Sequence, residues 1–435
     1  MALASPLTNS KNEGGSSGPL VPKGLGLAFF LVTVLFFLWG IPNNLNDVLI
    51  RQFMTSFAVT RLQAGLVQSA FYFGYFVFAT PAALLMRRSS YKTGFVIGLI
   101  LFSTGAFLFY PAAVIDRYGL FLGALFVIAS GLSFLETASN PFIAQLGPPE
   151  SAARRLNVAQ AFNPLGSITG VLIGTIFIFS GVELTPAQVA AMKTANTYTP
   201  YLRHETMRVV APYLILGTVT LLWAVLIIRT KFPAIAREGE GAGQSHGSYR
   251  ELLRYPHFLF AVVAQFAYIG AQVGTWSYFI QYVQETAHQP EKIAGYFLTG
   301  TLVIFAIGRF VSAGLMRRFD PRALMGMYTL CNIGLVAVGV LFPGWVGLWA
   351  IFLTSFFMSV MFPTIFALGI DGLDRNTKIG GSLIVMAIVG GAVLTPFMGW
   401  IAERSISIAY LLPLVCYCVV AFYCFVGARM KPRMA

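Results

Sequence analysis

Charged residues and cysteines are both scarce in this 435-residue chain. Only 10% of the residues are charged, 57% are hydrophobic, and the mean hydropathy is +0.74. A water-soluble protein usually carries about 25% charged residues, so this class is excluded. Four cysteines are too few for a disulfide-rich scaffold, and the Gly-X-Y repeat of collagen is missing. The apolar runs of about 18 residues or more are typical of a polytopic helical membrane protein.

Apolar runs bounded by charge, proline or glycine predict twelve transmembrane helices. The predicted spans are 25–53, 62–86, 93–115, 118–146, 154–181, 207–228, 257–284, 291–316, 323–343, 345–370, 377–402 and 406–428. The predicted fold class is an all-α membrane protein with two six-helix halves. The predicted domains are a disordered tail at 1–23, a first half at 24–228, a linker at 229–256, a second half at 257–428 and a tail at 429–435.

An internal repeat supports the division into halves. Residues 63–88 align with residues 293–318 at an offset of 230, and both segments end in LMRR. NPFIAQLG from Asn140 aligns with FPTIFALG from Phe362 at a similar offset of 222. Repeated halves are common in secondary transporters. Chance similarity between apolar segments is the alternative.

The basic residues predict the orientation. If the N-terminus is inside, 20 Lys and Arg residues fall on cytoplasmic segments, 8 on external segments and one, Arg309, within a span. The positive-inside rule therefore places both termini in the cytoplasm. Because the basic residues are dispersed between apolar runs, they do not indicate a nucleic-acid-binding surface.

Three ionisable residues lie well inside predicted spans: Asp47, Glu136 and Arg309. Charge in the bilayer core costs roughly 2.5–3.5 kcal/mol on insertion scales, so each is a candidate functional group. Asp47 ends a stripe of small and polar residues spaced i, i+3, i+4 and i+7, which consists of Gly40, Asn43, Asn44 and Asp47. This helix face is predicted to meet protein or water. A merely interfacial position for Asp47 is the alternative.

Glu136 lies deeper, near the middle of its predicted span, and shares a helix face with Asn140. Burial disfavours the charged form of a carboxyl group, so Glu136 is predicted to exchange a proton. Gln160 and Asn163 in the next span add amides that can bind hydroxyl groups. Glycines at 166, 170 and 174 of that span indicate close helix packing. A permanently neutral structural acid is the alternative for Glu136.

The seventh span carries amide and aromatic side chains on one side at spacings of three and four: Gln265, Tyr268, Gln272 and Trp276. Such a surface suits a ligand with hydroxyls on its edges and C–H bonds on its faces, which describes a pyranose. Gln68 and Tyr72 on the second span are weaker candidates of the same kind. An aromatic packing seam is the alternative.

Other chemistries leave no trace in the sequence. It has no phosphate-binding loop, no metal-ligand spacing and no soluble catalytic domain, so ATP-driven transport, a metal site and an enzyme are not expected. Arg309 is predicted to be structural, either orienting helices or pairing with a nearby carboxylate, rather than to contact substrate.

Twelve spans in two repeated halves resemble the major facilitator superfamily, and several segments resemble its L-fucose/proton symporter family, which includes glucose and galactose transporters. These segments are FFLWGIPNNLNDVLIRQF from Phe36, QAGLVQSAFYFGYF from Gln63, FLETASNPF from Phe134, NVAQAFNPLG from Asn157, AQFAYIGAQVGTWSY from Ala264 and PTIFALGIDGL from Pro363. The resemblance covers nearly everything except the N-terminal tail and the linker.

The resemblance implies proton-coupled sugar uptake, with Asp47 and Glu136 in proton coupling and Gln160 and Asn163 near the sugar. Phe362 stands where the fucose symporters have a tyrosine, which implies a lost hydroxyl contact and a different preferred sugar.

These observations together predict a symporter that imports a hexose or deoxyhexose with a proton by alternating access. The predicted sugar-binding residues are Asn43, Gln68, Tyr72, Glu136, Asn140, Gln160, Asn163, Tyr268, Gln272, Trp276 and Phe362. No cofactor is expected, because the proton is the coupling ion. The protein is expected to be a lipid-embedded monomer in the plasma membrane, the inner membrane of a bacterium. A sodium-coupled sugar carrier, a drug/proton antiporter and a non-transporting sugar receptor are the alternatives.

Overall fold

The computed structural model is helical, and the parts of the chain that it describes contain no β-strand. It describes residues 21–148, 152–233, 249–316, 318–373 and 376–430. The predicted tails and linker therefore lie largely outside the described residues. Within the described residues, twelve helical segments are long and apolar enough to cross a membrane. The predicted all-α fold with twelve spans is confirmed.

We number the spans 1 to 12 in chain order. Spans 1 to 6 consist of Gly26–Phe57; Arg61–Arg88; Tyr91–Phe107 with Phe109–Ile115; Tyr118–Gln145; Ala152–Gln160 with Phe162–Ile173 and the π-helical turn Gly174–Ile178; and Tyr198–Met207 with Val210–Arg229. A further helix, Pro186–Thr194, lies between spans 5 and 6.

Spans 7 to 12 follow the linker. They consist of Pro256–Ser277 with Phe279–Ala287; Glu291–Leu315; Pro321–Leu341; Trp345–Met358 with Met361–Ile370; Thr377–Met386 with the 3-10 turn Ala387–Val389 and Gly390–Ala402; and Ile406–Ala409 with Leu411–Phe425 and the 3-10 turn Gly427–Arg429. A four-residue helix, Tyr249–Leu252, precedes span 7.

The predicted spans agree with these helices to within a few residues at most boundaries. Span 6 is an exception, because its first helix begins at Tyr198 rather than near residue 207. That helix carries Arg203, His204 and Glu205, which a search for apolar runs excludes. Span 10 is interrupted between Met358 and Met361, just ahead of Pro363. Proline lacks an N–H group and is tolerated in the first turn of a helix, so a new helix begins there.

Twelve alternating spans place the chain ends and the linker on one face of the bundle, which we name the terminal face; the other is the opposite face. Near the opposite face the two halves are in contact, with span 2 against span 11 and span 5 against span 8. Two ion pairs join the halves there: Arg51 with Glu291 at 2.9 Å, and Arg61 with Glu285.

The space between the halves is closed at one end. Every hydrogen bond that joins a described residue of one half to a described residue of the other lies in the part of the bundle nearer the opposite face. Toward the terminal face, Gln160 and Phe162 of span 5 are exposed. The halves therefore enclose a space that opens toward the terminal face.

Spans 1 and 5 approach each other closely, as the glycines of span 5 predicted. A Cβ atom on Gly40 would lie 2.3 Å from the carbonyl oxygen of Asn163, and one on Gly166 would lie 2.0 Å from that of Phe37. Both distances are far below van der Waals contact, so only glycine fits at either position. This packing brings the polar stripe of span 1 against Asn163 and Ser167.

Replacing Gly40 by alanine is expected to destabilise the protein by about 1–3 kcal/mol, because the new methyl group must push spans 1 and 5 apart. The thermal unfolding temperature of the purified protein in detergent measures the effect. Gly123→Ala is the matched control, since nothing lies within 4 Å of a Cβ atom at that helical position. An equal unfolding temperature for both variants would contradict this account of the packing.

Candidate functional site

A cavity of about 140 Å³ lies between the halves near the middle of the bundle. Spans 1, 2 and 5 of the first half and spans 7 and 8 of the second half form its wall. The lining residues are Asn43, Asn44, Asp47, Gln68, Tyr72, Asn163, Pro164, Ser167, Gln272, Val273, Trp276, Leu302, Phe305 and Arg309. Asn43, Asp47, Gln68, Tyr72, Asn163, Gln272 and Trp276, which were predicted from separate spans, are therefore brought together. The cavity is large enough for on the order of ten water molecules, or for a small polar solute.

Asp47 lies at the closed end of this cavity and is 2% exposed. Its Oδ2 accepts a hydrogen bond from the Asn44 side chain at 3.0 Å. Its Oδ1 accepts from Gln68 Nε2 and from the Ser277 hydroxyl, each at 2.8 Å. Both halves therefore hold this carboxyl group, and the alternative of an interfacial Asp47 is not what the structure shows.

The local sequence explains how Asp47 reaches the cavity. Span 1 is one continuous helix through this region, so the i, i+3, i+4 and i+7 spacing turns Asn43, Asn44 and Asp47 to the same side. Gly40 at the start of the stripe lets span 5 approach and complete the wall with Ser167, whose hydroxyl donates to the Gly40 carbonyl at 3.3 Å.

Glu136 lies on span 4, outside the cavity wall, and is only partly buried. The Tyr75 hydroxyl interacts with its carboxyl group. Tyr72, one turn away from Tyr75 on span 2, lies close enough to interact with the charges of both Glu136 and Asp47. Tyr72 therefore lies within electrostatic range of both predicted coupling carboxylates.

Two predicted sugar-binding amides lie closer to the terminal face than the cavity. Gln160 is exposed and donates to Asn140 Oδ1 at 3.2 Å, while Asn140 donates to the Glu136 carbonyl at 3.2 Å. Asn163, by contrast, lines the cavity and donates to the Phe36 carbonyl at 3.3 Å. Glu136 lies one turn before Asn140 on the same face of span 4. We name Glu136, Asn140 and Gln160, which lie on the side of the cavity toward the terminal face, the vestibule group.

The second half contributes fewer of its predicted residues than expected. Gln272 and Trp276 line the cavity, and the Trp276 indole N–H donates to Ser355 Oγ at 3.0 Å. Tyr268, about two turns before Trp276 on the same helix, is fully buried, and its hydroxyl donates to the Met358 carbonyl at 3.0 Å. Phe362 is half-buried and lies outside the wall. In this structure neither Tyr268 nor Phe362 is placed to touch a ligand in the cavity.

Arg309 differs from its predicted environment. Its guanidinium lies 4.8 Å from the centre of the Phe305 ring, and Phe305 meets Trp276 edge to face at 5.2 Å. Among the described residues it has no carboxylate partner. Leu302, Phe305 and Arg309 follow i, i+3 and i+7 spacing, so one face of span 8 carries the arginine into the cavity wall. Of the two structural roles expected for Arg309, pairing with a carboxylate is not found among the described residues, whereas orienting helices stays a prediction. The side chain lines the space where a ligand would sit.

The sequence did not single out two residues of this site. Ser277 donates to Asp47, and Tyr75 interacts with Glu136. Tyr75 lies three residues after the candidate Tyr72, on the same helix face, and this spacing is a signal that could have found it. Ser277 follows Trp276 directly, and nothing in the sequence indicates its contact with span 1.

The described residues include no group of three or more His, Cys, Asp or Glu side chains that could hold a metal ion. The carboxylates, amides, aromatic rings and one guanidinium of the site instead offer hydrogen bonds and stacking surfaces, which suit a small polyhydroxylated ligand.

Comparisons with known proteins identify the family. Residues 25–382 match the Major Facilitator Superfamily. The chain is 43% identical to the L-fucose-proton symporter of Escherichia coli (strain K12) over 98% of its own length and 96% of the relative's. It is 35% identical to a glucose/galactose transporter of Brucella abortus biovar 1 (strain 9-941), over 99% of this chain and 100% of that one.

A solved structure agrees with these relatives. The crystal structure of a Major Facilitator Superfamily transporter, FucP, in the outward conformation is 44% identical to the chain. The match has a TM-score of 0.68 and covers 92% of this chain and 98% of that one. The chain therefore belongs to the major facilitator superfamily and, within it, to the family that contains these L-fucose-proton symporters and glucose/galactose transporters.

Proposed function

We propose that this protein is a proton-coupled symporter that imports a monosaccharide, a hexose or deoxyhexose of the fucose, glucose or galactose class. The observation that carries the proposal is the cavity between the halves, which combines a buried carboxyl group with amides and aromatic rings. The printed names of the relatives, L-fucose-proton symporter and glucose/galactose transporter, support the same substrate class and coupling ion.

The two sides of the cavity suit ligand recognition in different ways. Asn43 and Asn163 present amides on the first-half side, and amides can both donate to and accept from sugar hydroxyls. Trp276 and Phe305 present ring surface on the second-half side, which suits the C–H bonds of a pyranose. Arg309 adds hydrogen-bond donors to the second-half side of the wall. A monosaccharide with hydroxyls along one edge therefore suits this lining better than an apolar drug.

Alternating access follows from the way the halves meet. With the terminal face in the cytoplasm, as the positive-inside rule predicts, the structure is closed outside and open inside. Asp47 lies at the closed, outer end of the cavity, and Glu136 lies on the open, inner approach. A proton that enters with the sugar therefore meets Asp47 first, and the vestibule group lies on its way to the cytoplasm. Sugar and proton are coupled because the binding of each raises the affinity of the protein for the other, and such a coupling is reciprocal.

The proposed setting is a functional monomer in the plasma membrane with both termini in the cytoplasm. The proton is the coupling ion and no other cofactor takes part. The broad exposed apolar surface of the spans, which includes Phe310 at 73% and Leu341 at 69% exposure, suits contact with lipid tails.

Uptake by proteoliposomes tests the proposal. Purified protein would be reconstituted and offered radiolabelled L-fucose, D-glucose or D-galactose under an imposed proton gradient, a sodium gradient or neither. We expect accumulation of at least one sugar with the proton gradient only. Accumulation driven by sodium alone would show that sodium, and not the proton, is the coupling ion. Sugar binding without uptake under any gradient would indicate a receptor.

Gln272→Ala is expected to raise the half-saturating sugar concentration by about 3- to 10-fold, the loss of roughly one hydrogen bond. Tyr268→Phe is the matched control on the same helix, because its hydroxyl bonds the Met358 carbonyl instead of facing the cavity. Counterflow at increasing sugar concentration measures both variants. Equal effects of the two changes would contradict the assignment of the cavity as the sugar site.

A further inference from the structure

The last residue of the first helix of span 7, Ser277, forms a hydrogen-bonded triad with two residues of the other half. Its hydroxyl donates to Asp47 Oδ1 at 2.8 Å and accepts from Gln68 Nε2 at 3.0 Å. Gln68 also donates to Asp47 Oδ1 at 2.8 Å. All three side chains are buried. Within the described part of the chain, Ser277 is the only second-half residue that hydrogen-bonds Asp47.

We propose that Ser277 is a positioning residue that ties the protonation of Asp47 to closure of the outer side. The inference rests on the proposed function. Asn44 and Gln68 belong to the same half as Asp47, so their hydrogen bonds need not change when the halves move apart. The Ser277 bond requires that span 7 lies against spans 1 and 2. Of the three hydrogen bonds to Asp47, only the one from Ser277 depends on the relative position of the halves.

The hydrogen bonds match an ionised carboxylate. Three donors, the side chains of Asn44, Gln68 and Ser277, point at the two oxygens of Asp47. Hydrogen bonds donated to a carboxylate stabilise its charged form. When the outer side closes, the arrival of the Ser277 hydroxyl therefore favours proton release from Asp47. The O–H bond of the carboxyl group breaks, its electron pair stays on the oxygen, and water on the open side takes the proton.

Gln68 supports the same interpretation. Its Nε2 makes two of the three hydrogen bonds of the triad, whereas its Oε1 is buried without a hydrogen-bond partner. An amide carries a donor and an acceptor on opposite sides, so rotation by half a turn would offer Oε1 to a protonated Asp47. The triad therefore has one arrangement for the ionised carboxylate and a second, complementary one for the neutral acid.

Few other titratable or charged groups face Asp47. Tyr72 of span 2 and Arg309 of span 8 line the same cavity, and Glu136 interacts with Tyr72 from the vestibule group. None of them hydrogen-bonds Asp47. A change at Ser277 therefore acts on Asp47 directly, and the other groups stay in place to be tested separately.

The test compares Ser277→Ala with Ser69→Ala in proteoliposomes. Ser69 also joins the halves near the opposite face, since its hydroxyl donates to the Ala392 carbonyl at 2.6 Å, but it touches no carboxylate. We expect Ser277→Ala to lower proton-driven sugar accumulation by about tenfold, as for one lost hydrogen bond to a charged group, with sugar counterflow within about twofold of wild type. Ser69→Ala is expected to change neither the proton-driven accumulation nor the counterflow of sugar.

A second readout separates coupling from structure. Sugar affinity would be measured from acid to alkaline pH in wild type, in Ser277→Ala, and in both with Asp47→Asn added. We expect Ser277→Ala to move the pH midpoint of sugar binding toward alkaline pH. In the Asp47→Asn background, Ser277→Ala should leave the pH dependence of sugar binding unchanged, because the two changes act through one interaction. Ser277→Thr, which keeps the hydroxyl, is expected to retain the wild-type midpoint and tests the proposal if the alanine variant does not fold.

Each contrary result has one meaning. A wild-type pH profile in folded Ser277→Ala, or a shift that persists beside Asp47→Asn, would overturn the role of Ser277 while leaving sugar transport intact. Wild-type protein that transports no sugar would instead overturn the proposed function.

Discussion

Glu136→Gln is expected to abolish proton-driven sugar accumulation while leaving the amount of folded protein in the membrane unchanged. Glutamine has nearly the same shape as glutamate and keeps a hydrogen-bonding group toward Tyr75, so the helix contacts of span 4 are preserved. It has no proton to exchange at physiological pH. Because Glu136 lies beside the open approach to the cavity, the variant removes one step of the proton's route and leaves the sugar wall in place.

Accumulation ratios in proteoliposomes measure this effect, with counterflow as the companion assay. We expect counterflow to persist, since exchange of sugar for sugar needs no net proton movement. Asp320→Asn is the matched control: this exposed residue caps span 9 by accepting from the Ala323 N–H, and asparagine caps equally well. Undiminished accumulation by Glu136→Gln against a sugar gradient would remove Glu136 from the mechanism.

Arg51→Gln is expected to open the outer side. Arg51 bonds Glu291 across the halves, and the Glu291 side chain is only 7% exposed in the closed arrangement. Truncation leaves that carboxylate buried without its partner, which costs about 1–3 kcal/mol or more. The closed state loses this stabilisation and the open state does not. The population that is open to the outside should therefore rise by about tenfold or more.

Labelling of a cysteine at position 69 with a membrane-impermeant maleimide measures this shift, because Ser69 lies in the closed contact between spans 2 and 11. We expect faster labelling from the outside in Arg51→Gln than in the Ser69→Cys parent. Arg203→Gln is the control, since Arg203 is an exposed arginine of the same face and has no ion pair with a described residue. Equal labelling rates in all three proteins would show that the ion pair does not hold the outer side shut.

Much of the fold could be predicted because each span is set by local sequence. Apolar runs fix the twelve helices, and helical periodicity fixes which residues share a face, so the stripe that ends at Asp47 was found before any tertiary contact was known. The predicted start of span 6 lay too far along the chain only because the first helix of this span contains polar residues.

The candidate site was harder to predict because it is made between spans. Periodicity places Arg309 on a face of span 8 but does not say that this face meets the cavity instead of a carboxylate. It likewise gives no sign that Ser277 meets Asp47, since the two residues lie 230 positions apart in the chain. Gln160 and Asn163 are one turn apart, yet only Asn163 reaches the cavity wall. The reason is that span 5 is interrupted between them, with one helix ending at Gln160 and the next beginning at Phe162.

The two ion pairs near the opposite face have a consequence for assembly. The internal repeat at an offset of 230 makes Arg61 and Glu291 equivalent positions, each at the start of the second span of its half. Each pairs with an oppositely charged residue near the end of the first span of the other half. Arg61 pairs with Glu285 of span 7, and Glu291 pairs with Arg51 of span 1. Two copies of the first half arranged in this way would oppose arginine to arginine, and two copies of the second would oppose glutamate to glutamate. The signs of these four charges therefore favour pairing of the first half with the second over pairing of either half with a copy of itself.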